Sequence, residues 1–120
     1  MAFDVEEIPD QAILFRRINQ VLLTQEGEIS SAAYKDPEMS VNWEKYSTAE
    51  QTADASSAFV TGLSAGRYRG FNQTVVHKPV EPGQPDGPNQ AHSEVKGHKT
   101  KSLARQMKDA AQIVWVRSHS

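Results

Sequence analysis

The alternation of apolar and polar residues predicts a strand near the start of the chain. In residues 12–18, Ile13 and Phe15 fall on one alternating face. Leu14 and Ile18 fall on the opposite face, so both faces contain apolar side chains. Strands of this kind are typical of the interior of a sheet, where neighbouring layers cover both sides. We therefore expect a central strand here.

The next part of the chain predicts a hairpin and then a helix. Two short extended segments, 28–34 and 39–43, flank an Asp-Pro turn at 35–38, which is typical of a hairpin. Residues 47–50 have the Ser-x-x-Glu spacing of a capping box. An alanine-rich helix is therefore expected to begin there and to continue to Ala58.

Glycines and prolines interrupt the second half of the chain. Three glycines spaced four residues apart break up residues 61–70, so no regular element is predicted there. Runs of strand-forming residues predict strands at 71–77 and 91–96. Between these strands, residues 79–90 are rich in proline and glycine, and we expect an irregular, mobile surface loop.

The last quarter of the chain predicts an amphipathic helix that begins near Thr100 or Ser102, followed by a strand at 113–116. Five apolar residues recur at spacings of three and four and predict its buried stripe: Leu103, Met107, Ala110, Ala111 and Val114. The order of elements predicts a single α+β domain over residues 12–120, with a mixed, mostly antiparallel sheet and two helices packed on it. The acidic residues 1–11 are expected to form a loosely held leader. Nine residues on the apolar faces of these elements are expected to lie in the core: Ile13, Phe15, Ile29, Val41, Val75, Val95, Leu103, Met107 and Val114.

The composition restricts the class of protein. The chain has 120 residues and no cysteine, which excludes disulfide frameworks, cysteine zinc sites, iron–sulfur clusters and thiol nucleophiles. No apolar run approaches the roughly 20 residues that span a bilayer, and the first residues are acidic where a signal peptide would be basic. We therefore expect a cytoplasmic protein with no cofactor and no membrane association.

Charge is distributed unevenly along the chain. Residues 1–60 contain 4 Lys and Arg against 11 Asp and Glu, whereas residues 61–120 contain 9 against 4. A pI near 6.1 argues against strong general binding to nucleic acid. Backbone N–H groups at a helix N-terminus attract anions, so the last helix is predicted to bind an anionic ligand or a protein partner, the alternative being a solvated face. The predicted anion-binding residues are Lys99, Thr100, Lys101, Ser102, Arg105 and Lys108. The four basic ones are expected to form an exposed positive stripe.

A second hypothesis places a nucleotide pocket around two adjacent arginines. One of Arg16 and Arg17 must face the core, and a buried arginine needs a carboxylate or a bound anion. With the serine-rich segment 29–34, this pattern resembles the nicotinamide-dinucleotide pocket of ADP-ribosyl-transferring toxins. The resemblance implies a nucleotide-handling enzyme, although the late Glu-x-Glu element of those families is missing. Its pocket would contain Arg16, Arg17, Ser30, Ser31, Tyr34, His92 and Glu94.

For other kinds of catalytic site, the sequence lacks some of the residues that the chemistry needs. His92 and Glu94 match two residues of a zinc deaminase, but the cysteine ligands are missing. A looser metal site from these residues with His77 and His98 has no helical His-x-x-x-His spacing, and no metal is expected. The Gly-x-Ser-x-Gly elbow of serine hydrolases is also missing. Whether the chain is an enzyme stays open at this point.

Segments 14–18, 30–41 and 97–105 resemble recurring segments of small uncharacterised bacterial proteins. That resemblance implies a bacterial or phage origin and no particular activity. Two classes of function follow: a non-enzymatic binding or accessory module, and a small nucleotide-handling enzyme. Convergence of one arginine of the pair, a serine and His92 in one cleft would favour the enzyme.

Overall fold

The computed structural model describes residues 2–118, which form one six-stranded sheet. The strands in chain order are β1 (Ile13–Asn19), β2 (Glu38–Trp43), β3 (Ser57–Ser64), β4 (Thr74–His77), β5 (His92–Lys96) and β6 (Gln112–Val116). They lie side by side in the order β4-β5-β2-β1-β3-β6, and every neighbouring pair is antiparallel. The predicted α+β fold class is confirmed.

Short helices and two 3-10 turns connect the strands. The helices are α1 (Ala49–Thr52), α2 (Ala65–Gly70) and α3 (Lys101–Ala110), and the turns are Gln20–Leu22 and Ser31–Tyr34. The first turn is capped by Asn19, whose side chain accepts a hydrogen bond from the N–H of Val21. The longest of these elements, α3, packs beside the turn at Ser31–Tyr34.

The hydrophobic core lies on one face of the sheet. Leu14 pairs in register with Trp43 on β2 and with Leu63 on β3, so the three side chains share that face. The same apolar cluster includes Tyr68 of α2 and Met107 of α3, neither of which is exposed. The two longer helices thus contribute the second layer of the core.

The interior position predicted for the first strand is confirmed. β1 lies between β2 and β3, and Leu14 and Ile18 are fully buried. Of the nine predicted core residues, four are buried: Val41, Val75, Val95 and Met107. Four others are partly exposed: Ile13, Phe15, Ile29 and Leu103. The prediction for Val114 is wrong, because β6 lies at the edge of the sheet and leaves this side chain 46% exposed.

The hairpin predicted across residues 28–43 is wrong in its first half. Ser31–Tyr34 is a 3-10 turn, capped by the Ser30 hydroxyl, which accepts from the N–H of Ala32. The turn places Tyr34 in the core, where its hydroxyl lies 2.5 Å from Thr61 Oγ1. A strand over these residues would leave that polar contact unmade, and the second half of the prediction, β2, is confirmed.

The long helix predicted from residue 47 is also wrong. Thr48 and Gln51 form a capping box one residue later than predicted, but α1 ends after a single turn. The alanines that follow offer little apolar surface to bury, so packing does not extend the helix. Instead the side chain of Asp54 accepts from the N–H of Ser56 and turns the chain into β3.

The glycine-spaced region contains the end of β3 and all of α2, which the sequence did not predict. The Ser64 hydroxyl caps α2 by accepting from the N–H of Arg67. Gly62 permits close packing within the sheet, because a Cβ there would lie 3.1 Å from Ile13 Cγ2. The glycine at this position therefore reflects a close contact inside a strand rather than a break in structure.

The C-terminal helix is confirmed, but of its predicted buried stripe only Met107 is buried, and Val114 lies in β6 instead. Thr100 caps α3, and Met107 and Ala104 are fully buried. The expected exposure of Lys99 is wrong: the residue is only 5% exposed, and its Nζ donates to the carbonyls of Val95 and Gly97. Residues 113–116 form a strand, as expected.

The leader and the proline-rich loop contact each other. In the leader, Ile8 is buried, and its carbonyl accepts from the Arg69 guanidinium at 2.6 Å. The N–H of Ala2 donates to Glu81 of the loop at 2.6 Å. The loop is irregular, as predicted, and closes through one bridge between Val80 and Asn89. The predicted mobility of both segments stays a prediction.

Candidate functional site

A cleft of about 560 Å³ lies on the face of the sheet opposite the core. Its floor is formed by β1, β2 and the start of β5, with Phe15 among the apolar residues. One wall is the turn between α1 and β3, and the other is the loop from Val80 to Asn89. Four segments that are distant in the sequence therefore meet around one polar hollow.

Arg16 occupies the place where β1 and β2 separate. The two strands pair at only two positions, Leu14 with Trp43 and Phe15 with Asn42. Beyond them the guanidinium of Arg16 bridges the gap, donating from Nε to the Ala33 carbonyl at 3.2 Å and from Nη1 to the Ser40 carbonyl at 2.9 Å. Its burial lowers the pKa of Arg16. Within residues 2–118 no carboxylate oxygen lies within 4.0 Å of this guanidinium.

Arg17 points into the cleft beside Asp54. Its Nη1 lies 3.0 Å from Asp54 Oδ2, while Asp54 Oδ1 accepts from Ser56 and Ser57. Burial acts to raise the pKa of Asp54, but hydrogen bonds from Ser57, Arg17 and Ser56 outweigh it and lower that pKa to about 2. Asp54 therefore stays ionised at neutral pH and orients Arg17.

A chain of amides and hydroxyls connects the two walls across the floor. Asn89 Nδ2 donates to Asn42 Oδ1 at 3.0 Å, and Asn42 Nδ2 donates to Thr52 Oγ1 at 3.1 Å. Thr52 in turn donates to the Thr48 carbonyl inside α1. Because Asn42 and Thr52 are buried, these bonds satisfy polar groups that would otherwise be costly to bury. The network fixes the loop against the sheet.

His92 and Ser40 form a hydrogen-bonded pair at the mouth of the cleft. His92 Nδ1 lies 2.8 Å from the Lys78 carbonyl, which only accepts, so Nδ1 is the protonated nitrogen. The other nitrogen, Nε2, lies 3.3 Å from Ser40 Oγ and is free to accept the hydroxyl proton. A serine hydroxyl next to a histidine whose other ring nitrogen is held by a hydrogen bond is the arrangement of an activated nucleophile.

The pocket predicted by the toxin resemblance is assembled only in part. Arg16, Arg17 and His92 line the cleft together with Ser40 and Ser57. Ser30 and Ser31 do not line it, because they belong to the 3-10 turn before β2. Tyr34 lies in the core, and Glu94 is buried beside Lys78 and Lys96 at 3.6 Å from each. An arginine, a serine and His92 do converge, but the serine is Ser40.

The six residues predicted to bind an anion at α3 have different environments. Thr100 serves as the N-cap, Lys99 is buried, and Lys108 lies 3.3 Å from Asp109. The remaining three side chains are exposed on the first turns of the helix: Lys101, Ser102 and Arg105. No basic cluster as large as the predicted one is formed.

Sequence reasoning missed the residues that build the cleft: Ser40, Asn42, Thr52, Asp54 and Asn89. For Ser40 and Asn42 a signal existed, because they alternate with Met39, Val41 and Trp43 and therefore share the face of β2 away from the core. For Asn89 and Asp54 no local pattern indicated that distant segments would meet.

Comparisons of the chain with protein-family models, with curated proteins and with solved structures found no match. Among residues 2–118 no three histidine, aspartate or glutamate side chains are grouped as metal ligands. His77 pairs with Ser93 on the core side of the sheet, whereas His92 lies on the cleft side. None of the helices described is long and apolar enough to cross a membrane.

Proposed function

We propose that the cleft is the binding site for a small polar ligand that bears an anionic group such as a phosphate. The observation that supports this most directly is the convergence of Arg16, Arg17, Asn42, Asn89 and His92 from distant segments on one hollow. Amide and imidazole groups recognise donors and acceptors on a ligand, and Phe15 offers it an apolar surface. The domain would then act as a binding module.

The anionic group is inferred from guanidinium donors that have no partner in the cleft. Arg16 contacts only carbonyl oxygens, so its charge is not neutralised by an ion pair within the described residues. Arg17 has one carboxylate partner, Asp54, through Nη1, which leaves other guanidinium donors available. Asp54 and Asp86 balance the two arginines of the lining in formal charge, so the proposal rests on the unused donors of Arg17, which suit the oxygens of a phosphate.

Calorimetric titration with AMP, ADP and inorganic phosphate would test the site. In Arg17→Gln we expect affinity to fall about tenfold or more, since a hydrogen bond to a charged group contributes about 1.5–3 kcal/mol. The matched control is Arg105→Gln on α3, which removes the same charge from the basic face that the sequence predicted. Affinity lost in the control and kept in Arg17→Gln would place the ligand on α3. No binding by the unaltered protein to any of the three would overturn the proposal.

The pair of Ser40 and His92 favours a second candidate, a group-transfer enzyme acting on the same ligand. Ser40 Oγ would attack an electrophilic phosphoryl group while its proton passes to His92 Nε2. The bond to the leaving group breaks, and the leaving oxygen takes the proton from the imidazole. Water then releases the group from Ser40 by the reverse sequence of proton transfers.

Ser40→Ala separates the two candidates. For an enzyme, nucleotide would still bind, but product formation followed by chromatography and the mass of any adduct on Ser40 would disappear. Ser102→Ala, an exposed serine on the first turn of α3, serves as the control and should leave turnover unchanged. If the unaltered protein binds nucleotide and forms no product, the binding module stands and the enzyme is excluded for that ligand.

A further inference from the structure

A second hollow of about 420 Å³ adjoins the cleft and shares part of its lining. The shared residues are Arg17, Asn42, Thr52, Asp54, Asp86 and Asn89. Most of them are partnered within this set, through the ion pair of Arg17 with Asp54 and the amide network centred on Asn42. Asp86 is the exception, because no hydrogen bond or ion pair within residues 2–118 engages its carboxylate.

The loop that carries Asp86 is folded on itself. The N–H of Gly87 donates to the Gln84 carbonyl at 3.0 Å, and the N–H of Glu81 donates to Gln84 Oε1 at 2.9 Å. A Cβ on Gly87 would overlap the Glu81 carbonyl oxygen, so a larger residue would force the backbone to move. Asp86 itself lies in the left-handed region with a φ of 65°, which aspartate tolerates better than most residues. The loop therefore holds an unpartnered carboxylate at the border of the two hollows.

The two hollows differ in formal charge. The cleft is lined by two arginines and two aspartates, whereas the second hollow is lined by Arg17 alone against Asp54 and Asp86. A phosphate is therefore favoured in the cleft, beside both arginines, and disfavoured in the second hollow. Because an ionised carboxylate only accepts hydrogen bonds and repels a phosphate, Asp86 suits donors on the rest of the ligand.

The amide of Gln51, which lines the second hollow, indicates what kind of donor is suited to this place. Gln51 Oε1 accepts from the N–H of Thr48 at 3.0 Å in the capping box, which leaves the NH2 group of Gln51 as a donor. The hollow thus offers an acceptor on Asp86 and a donor on Gln51. A hydroxyl group both donates and accepts, whereas an ammonium group only donates. The second hollow therefore matches a group that bears several hydroxyls.

We propose that Asp86 selects ligands in which the phosphate is esterified to ribose, by accepting hydrogen bonds from the adjacent hydroxyl groups of the sugar. The ribose can belong to a nucleotide or to a free ribose phosphate, which share this chemistry. The inference rests on the proposed function of the cleft, because a phosphate held by Arg17 places the sugar in the neighbouring hollow. The two oxygens of one carboxylate can accept from two adjacent hydroxyls. An acidic side chain recognises ribose hydroxyls in the same way in dinucleotide-binding folds.

Calorimetric titration of the unaltered protein with AMP, 2′,3′-dideoxy-AMP, ribose 5-phosphate and inorganic phosphate would test this selectivity. We expect AMP to bind at least about tenfold more tightly than its dideoxy form, since hydrogen bonds to a charged group are among the stronger ones. Ribose 5-phosphate binding as tightly as AMP would identify a sugar phosphate, and weaker binding a nucleotide; both results support recognition of the hydroxyls. Equal affinities for AMP and its dideoxy form would overturn the inference and leave the phosphate site standing. If none of the four binds, the proposed function fails as well.

Two variants assign the selectivity to Asp86, and both tolerate a left-handed backbone. Asp86→Gly removes the acceptor, so the preference for AMP over its dideoxy form should fall to about threefold or less. Asp86→Asn removes the charge, so inorganic phosphate should bind as tightly or more tightly while AMP binds less tightly.

The matched control is Asp109→Asn, which removes the same charge from an exposed aspartate of α3 and should leave all four affinities unchanged. A purely electrostatic role of Asp86 would strengthen the binding of both AMP and inorganic phosphate in Asp86→Asn. That joint increase, or a full preference for AMP retained in Asp86→Gly, would overturn the assignment.

Discussion

The two faces of the sheet are built from alternate residues of the same strands and have opposite properties. On β1, Leu14 and Ile18 are completely buried, whereas Arg17 between them on the chain faces the cleft. On β2, Val41 lies in the core and Ser40 is exposed beside His92. Neighbours in sequence thus serve the stability of the fold on one side and the candidate site on the other.

This difference implies that the effect of a substitution on stability depends on the face of the sheet that the residue occupies, and not on its position in the chain. Truncation on the core face removes apolar contacts that nothing replaces. Truncation of exposed side chains on the cleft face, such as Arg17 and Ser40, removes groups that are already hydrated, so the free energy of unfolding should change little. The four predictions below test this division in order of decreasing effect.

Leu14→Ala should have the largest effect on stability. Loss of a completely buried leucine side chain is expected to lower the free energy of unfolding by about 2–5 kcal/mol, because a cavity remains in the core. Urea unfolding followed by circular dichroism measures the change. Arg17→Ala, on the other face of the same strand, is the control, and an equal loss there would contradict the division between faces.

Arg16→Met should have an intermediate effect, because this residue lies where the two faces meet. Methionine keeps the apolar stem but leaves the Ala33 and Ser40 carbonyls without their donor. We expect a loss of about 1–2 kcal/mol in the free energy of unfolding, since the bond to the Ala33 carbonyl is part-buried and an unpaired buried group costs about 1–3 kcal/mol. Arg16→Lys, which keeps a cationic donor, should lose less. Equal losses in both variants would show that the guanidinium geometry is unimportant.

Asp54 should make stability depend on pH in the acid range. Its folded pKa of about 2 lies below its ordinary value of 3.8, so it stabilises the folded state above pH 4. That contribution should be lost as the pH falls from about 5 through 2, and it should be modest because the side chain is 48% exposed. Urea midpoints of the unaltered protein and Asp54→Asn should converge over this range. Parallel curves would exclude the assignment.

Ser40→Ala and His92→Gln should have the smallest effect on stability. Both side chains are at least partly exposed on the cleft face, and we expect changes in the free energy of unfolding within about 0.5 kcal/mol. If the cleft is an enzyme site, both variants should abolish turnover while nucleotide still binds. A large loss of stability in either variant would mean that the pair is part of the packing rather than of a site.

The sequence predicted those elements whose apolar pattern is matched by the packing around them. β1, β5 and α3 have clear periodicity, and their positions are confirmed within a few residues. It was wrong for Ser31–Tyr34 and for the residues after Thr52, where a capping hydroxyl or the Asp54 side chain turns the backbone. These are local polar contacts that compete with regular structure and leave no periodic signal.

The candidate site, too, could be predicted from the sequence only in part. That one arginine of the pair faces the core follows from alternation along a strand, and the sequence was sufficient for that inference. The convergence of Ser40, Asp54, Asn89 and His92 depends on strand order and on the path of the loop, which link segments far apart in the chain.

By itself the sequence determined the α+β class, the interior position of β1 and the amphipathic character of α3, because each follows from the spacing of apolar residues. Only the tertiary structure decided that Lys99 is buried, that β6 is an open edge and that Ser40 meets His92. The physical reason is that side-chain periodicity reports which face of an element is buried. Which distant groups share a cleft, and which edge stays unpaired, is set by the order of strands in the sheet.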